Sequence, residues 1–125
     1  MRRVFIAHPI SGDIKSNMKK VLEICRRVHD KNTIPVAPYL VSLQYLDDTV
    51  VEDRELGMEA NYEAFHAGYI TELWLYGDRI SESMRGEIEL ARELGIPIIA
   101  KTPETEKALA ELRRGNWHGE EDFKA

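Results

Sequence analysis

"LWLYGDRISESMRGEIELARELGIPIIA", residues Leu73 to Ala100, decides the fold. It reads as strand, loop, helix, strand. Leu73 to Tyr76 is a short continuous apolar run, the pattern of a strand covered on both faces. The helix spans roughly Glu82 to Leu94, with Met84, Ile88, Ala91 and Gly95 on one stripe at 100° per residue. Glu82, Arg85, Glu89, Arg92 and Glu93 fall on the opposite side. Gly95 closes the helix as a C-terminal cap, and "IPIIA" supplies the next strand. A strand, a crossover helix and a second buried strand form one unit of a parallel sheet.

The same unit repeats on either side. "VFIA" (Val4 to Ala7) is a buried strand, and "HPISGD" is a loop punctuated by Pro9 and Gly12. Ile14, Met18, Val21, Leu22, Cys25 and Val28 then recur at helical spacing. A second strand lies near Ile34 to Ala37, where Pro35 and Pro38 blur the ends. The segment from Leu40 to Leu56 holds a short helical turn and a loop around Asp47 and Asp48. A helix follows from about Asp53 to Gly68, with Met58, Tyr62 and Phe65 on one face. Thr102 caps a last helix with Pro103 at its first position. The whole predicts a doubly wound, flavodoxin- or Rossmann-like α/β domain with a parallel sheet of about four strands in order 2-1-3-4. Residues 1–113 are expected to form this single domain. Residues 114–125, with Trp117 and Phe123 among acids, form a tail that either docks on a partner subunit or stays free.

Composition narrows the function. The net charge is −5 with basic residues scattered, which argues against a nucleic-acid surface. Apolar runs fall far short of a membrane span, and "VFIA" is too short for a signal peptide. The single cysteine, Cys25, lies on an apolar helical face and has no internal partner, so a reducing cytoplasm is expected. The histidines (His8, His29, His66, His118) and Cys25 lack zinc-like spacing, so neither a metal nor a cofactor is expected.

In such sheets ligands bind at the carboxyl ends of the strands, where the winding reverses. Here that point falls between the "HPISGD" and "GDRISES" loops. Glu87 lies about 40° from the centre of the apolar stripe, sharing a face with Ala91 and Leu94. A carboxylate there is partly desolvated, while the helix N-terminus favours its negative form. Either it is a reacting or ligand-orienting anion, or it bonds a backbone amide or an arginine such as Arg79 and holds a loop. Ser81 and Ser83 serve equally as N-caps or as partners for a phosphate or sugar hydroxyl. Ser11 and Gly12 open a helix in the same double sense, without a Walker A or GxGxxG pattern. His8 is either a polar wall of the site or satisfied locally. Asp47 and Asp48 either hold a ribose hydroxyl or form an exposed turn.

"FIAHPISGD", "ELWLYGD" and S-x-S-M-R-G-E-I-x-x-A-x-x-x-G-I-P-I together resemble the nucleoside 2-deoxyribosyltransferase-like superfamily, which includes 2'-deoxynucleoside 5'-phosphate N-hydrolases. The likeness covers about Val4 to Ala100 and is closer still to small phage and bacterial members of that fold. It implies a cleaved or transferred N-glycosidic bond, with Glu87 attacking C1' of the sugar. It also implies a nucleoside or nucleotide ligand, with Ile10, Ser11 and Gly12 around the sugar-phosphate and Ser81 on the sugar or 5'-phosphate, and a homo-oligomer whose subunits complete one another's sites. His8, Gly77, Asp78, Arg79 and Ser83, from the two loops at the strand ends, are expected at the same site. Two positions depart from the pattern. Ser83 stands where relatives have glycine. Asn61, Tyr62 and Glu63 stand where relatives carry a supporting aspartate, which opens a second possibility: a binder of a nucleotide or an ADP-ribose-like signal that performs no chemistry.

Overall fold

The computed structural model describes residues 1–115, in the order β1 (Arg2–Ala7), α1 (Ile14–Val28), β2 (Thr33–Val36), α2 (Tyr39–Ser42), α3 (Val51–His66), β3 (Glu72–Leu75), α4 (Glu82–Glu93), β4 (Ile98–Ala100) and α5 (Pro103–Arg113). The strands form one parallel sheet in the order β2-β1-β3-β4, as the alternation of elements predicts. β1 pairs with β2 from Arg2 opposite Thr33 to Phe5 opposite Val36, and with β3 from Val4 opposite Glu72 to Ala7 opposite Leu75. Leu73 pairs with Ile98 on the other side of β3. Pro35 is tolerated because β2 is an edge strand with one unpaired side.

The centre of the sheet is dry. Val4, Phe5, Ile6, Ala7, Leu73 and Leu75 are all 0% exposed. Phe5 meets the ring of Phe65 from α3 at 4.9 Å and that of Tyr39 from α2 at 6.2 Å, so both helices lock onto β1. Fully burying a side chain such as Phe5 or Leu73 is worth ~1.5–3 kcal/mol. Two positions depart from the periodicity reading. Leu22 is 56% exposed, and Ile24 turns inward in its place at 5%. Leu94 is 46% exposed because it is the C-cap of α4, past the last turn that packs on the sheet. The tail residues Trp117 and Phe123, with His118, lie outside the described residues. Among the described residues no helix is long and apolar enough to cross a membrane.

Candidate functional site

The winding reverses between β1 and β3. The chain leaving β1 turns at His8–Gly12, and the chain leaving β3 turns at Gly77–Ile80. Gly77 lets these turns meet: its φ is 95°, and a Cβ there would sit 2.5 Å from Pro9 Cδ. Asn17, one turn into α1, donates to the Ile10 carbonyl at 2.9 Å and fixes the first loop. Ser81 caps α4, its hydroxyl accepting from the Met84 amide at 3.3 Å. The amides of Glu82 and Ser83 in that first turn have no intrahelical acceptor, as at any helix start.

These elements enclose a cavity of about 280 Å³. Of the residues expected at the site, His8, Ile10, Ser11, Asn61, Ser81, Ser83 and Glu87 line it together. The others lie elsewhere. Gly12 is in the adjoining turn with φ 102° and open space where a side chain would stand. Gly77 ties the loops together from behind. Glu63 is on the exposed face of α3, because the turn that brings Asn61 inward carries residue 63 round to solvent. Asp78 and Arg79 are exposed and pair with each other at 3.1 Å.

Glu87 is 4% exposed, one and a half turns into α4, with its carboxyl group at the cavity wall. Neither Arg79 nor any other described residue holds it by a hydrogen bond or ion pair. Its ionisation departs from the sequence expectation. Burial pushes its pKa up to about 8, so the neutral acid prevails at pH 7. The N-terminal field does not reverse this, since it fades within the first turn and Glu87 is the sixth residue of α4. Tyr62 lies over the Gly86 backbone, its hydroxyl 2.2 Å from where a Cβ would be. Burial first, and the Glu87 carboxyl second, raise the pKa of Tyr62 and of Tyr39. The Tyr39 hydroxyl is engaged, donating to the Ile6 carbonyl.

Asn61 is 8% exposed, and its Oδ1 is buried without a partner among the described residues. An orphan acceptor of this kind costs about 1–3 kcal/mol unless something donates to it. His8 also lines the cavity. Its Nδ1 donates to the Pro9 carbonyl at 2.6 Å, which leaves Nε2 as the acceptor, and burial lowers its pKa. Among the described residues no group of three or more His, Cys, Asp or Glu side chains is arranged to hold a metal ion.

The wall that sequence reasoning missed comes from α2, α3 and the turn after α2: Tyr39, Ser42 and Leu43, then Arg54 and Gly57; of the Asp47–Asp48 pair weighed for a ribose hydroxyl, Asp48 lines the cavity. Glu82 and Met58 also reach it. One signal was available. Arg54, Met58 and Asn61 stand at helical spacing and therefore share a face.

The model of a family described as a domain of unknown function (DUF7768) matches residues 2–101. The chain belongs to this family. The DUF7768 match takes in all four strands and every cavity-lining residue, and stops before the Thr102 cap of α5. No curated protein and no solved structure matches the chain.

Proposed function

We propose that the cleft binds a nucleoside or nucleotide and breaks its N-glycosidic bond, by hydrolysis or by transfer to a second base, with Glu87 as the reacting carboxyl. The observation that carries this reading is a carboxyl group 4% exposed, unpaired, and facing a cavity with hydroxyl and amide groups around it. Buried acids that only hold structure are bonded; this one is not. Its raised pKa, about 8, gives the step its proton. A Glu87 oxygen bonds to C1' as the C1'–N bond breaks, and the carboxyl proton passes to the departing nitrogen, leaving a neutral base and a glycosyl ester. Water, or a ring nitrogen of an incoming base, then attacks C1'. The ester bond breaks and the carboxyl regains a proton from the attacking group. Positive charge growing on the sugar favours the carboxylate that burial alone disfavours. Ser81, Ser83 and the first amides of α4 suit a sugar hydroxyl or phosphate.

Incubation with deoxynucleosides and their 5'-monophosphates, followed by chromatography, tests this. Free base should be released, Glu87→Ala should abolish release, and the rate should fall as pH rises past about 8, where the required proton is lost. One observation favours a second reading. Asn61, an amide that cannot act as an acid or base, lines the same cleft as Glu87. That suits a non-catalytic binder of a nucleotide or an ADP-ribose-like signal. Tight nucleotide retention without base release, merely weakened by Glu87→Ala, would establish the binder instead.

A further inference from the structure

The α2–α3 rim of the cleft carries two opposite charges that do not pair. Asp48 and Arg54 both line it. Arg54 Nε donates to the Asp48 main-chain carbonyl at 3.3 Å, yet no ion pair joins the two side chains. That contact tethers the guanidinium by its inner nitrogen, and its two outer nitrogens are without a partner among the described residues. The Asp48 carboxylate likewise has none.

The loop presenting Asp48 is held firmly. The Asp47 carboxylate accepts from the Thr49 amide at 2.9 Å and from the Thr49 hydroxyl at 2.6 Å. The Asp47 amide donates to Asp53 at 2.7 Å, and the Val50 amide donates to the Asp47 carbonyl at 2.9 Å. The Thr49 hydroxyl first, and its amide second, lower the pKa of Asp47, and the four bonds together fix the backbone on both sides of Asp48.

A carboxylate and a guanidinium fork on one rim ask for a ligand edge that donates and accepts. A phosphate fits poorly, since Asp48 repels it. The first turn of α4 is the better end for an anion. With the sugar at Glu87, the α2–α3 rim is left to the base. A guanine edge satisfies both groups: O6 and N7 accept from an arginine fork, and N1–H and the 2-amino group donate to a carboxylate. Adenine places a donating amine where the arginine needs an acceptor, and pyrimidines lack the second ring acceptor.

Resting on the nucleoside reading above, we infer that Asp48 and Arg54 read the base and select a 6-oxopurine, guanine before hypoxanthine. Isothermal titration in a Glu87→Gln background, which removes turnover, tests this with four probes: the 2'-deoxynucleoside 5'-monophosphates of guanine, hypoxanthine and adenine, and deoxyribose 5-phosphate. The guanine nucleotide should bind roughly tenfold or more tighter than the adenine one, with hypoxanthine between. Arg54→Ala and Asp48→Asn should each shrink the ratio several-fold, the pair together should bring it to about parity, and all should leave deoxyribose 5-phosphate affinity unchanged. Equal binding of guanine and adenine nucleotides, or a ratio that survives both substitutions, overturns the base assignment and leaves the nucleotide reading standing. If Arg54→Ala weakens deoxyribose 5-phosphate as much as the guanine nucleotide, the arginine reads phosphate and the assignment fails in the same way. Binding of none of the four probes overturns both.

Discussion

At the carboxyl end of the sheet α4 begins on Ser81 and α5 on Thr102, each one loop after a parallel strand. Both helices bury a polar side chain in their early turns. In α5 it is Thr105, 0% exposed, whose hydroxyl donates to the Leu75 carbonyl at 3.2 Å while its amide donates to the Thr102 hydroxyl at 3.1 Å. Thr102 in turn donates to the Gly77 carbonyl at 2.7 Å. In α4 it is Glu87, 4% exposed, bonded to no described residue. Equal burial with opposite satisfaction separates two uses of polarity. The threonines brace a joint between β3 and α5. The Glu87 carboxyl braces nothing and lines the cleft instead, which is why the proposed chemistry is placed on it.

The largest expected effect breaks the α4 side of this contrast. The folded state raises the pKa of Glu87 from 4.5 to about 8. Between those values the unfolded chain loses its proton while the native one keeps it, so the native state binds more protons and stability falls as pH rises. The contribution of the neutral acid is intact below about pH 4.5, wanes up to about pH 8 and is level beyond. By linkage the loss is ~5 kcal/mol. Glu87→Gln, which cannot titrate, should erase that slope. Urea melts of both proteins across pH 4 to 9 read it as a difference between the two curves, which cancels every other carboxylate. Parallel curves would mean that Glu87 ionises freely and that its burial carries no electrostatic cost.

A smaller effect checks the α5 side. Thr105→Val keeps the volume and removes the hydroxyl, which leaves the Thr102 amide without its acceptor, while the Leu75 and Thr102 carbonyls keep the Lys101 and Glu106 amides. The expected loss is about 1–3 kcal/mol, the same at every pH, measured by the same melts. A loss below about 0.5 kcal/mol, the low end of what such a bond contributes, would show that the Thr105 hydroxyl braces nothing and would remove the contrast.

Continuous apolar runs made the sheet legible. Val4 to Ala7 and Leu73 to Leu75 sit where a strand buried on both faces must, and Thr102 with Pro103 announced α5. The α4 half of the site was readable for a related reason: an acid on an otherwise apolar stripe is visible by spacing alone. The α2–α3 half was not. α3 has no continuous apolar face: Val51 and Leu56 are exposed, and only Asn61 and Phe65 are buried. Its orientation is set by rings far apart in the chain, Phe5 on Phe65 and on Tyr39, and no local pattern reports such contacts. Asp48 and Arg54 reach the cleft because of that packing. Glu87's charge state was misjudged for want of depth: spacing shows the direction of a side chain and not how dry its surroundings are.

The smallest effect concerns why Glu87 stays dry. Two glycines lie inside helices that border the cleft, Gly57 in α3 and Gly86 in α4. Alanine in a helix interior normally gains ~0.5–1 kcal/mol over glycine. At Gly57 an added Cβ would lie 3.7 Å from Leu46 Cδ1 and 3.8 Å from Ser42 Oγ, ordinary contact, so Gly57→Ala should show the full gain. At Gly86 the same Cβ would stand 2.2 Å from the Tyr62 hydroxyl and 3.2 Å from Cζ, so the ring must swing away. The lost packing offsets the helical gain, and the net change in Gly86→Ala should stay within about 1 kcal/mol of zero. Its signature is elsewhere. With Tyr62 displaced, water reaches the carboxyl, and desolvation, the cause of its raised pKa, shrinks. The midpoint of Glu87, followed by carbon-detected NMR titration, should therefore drop from about 8 towards the ordinary glutamate value in Gly86→Ala and remain in place in Gly57→Ala. An unmoved midpoint together with a stability gain matching that of Gly57→Ala would mean that Tyr62 does not shield the acid. The dryness of Glu87 would then come from the sheet beneath it alone.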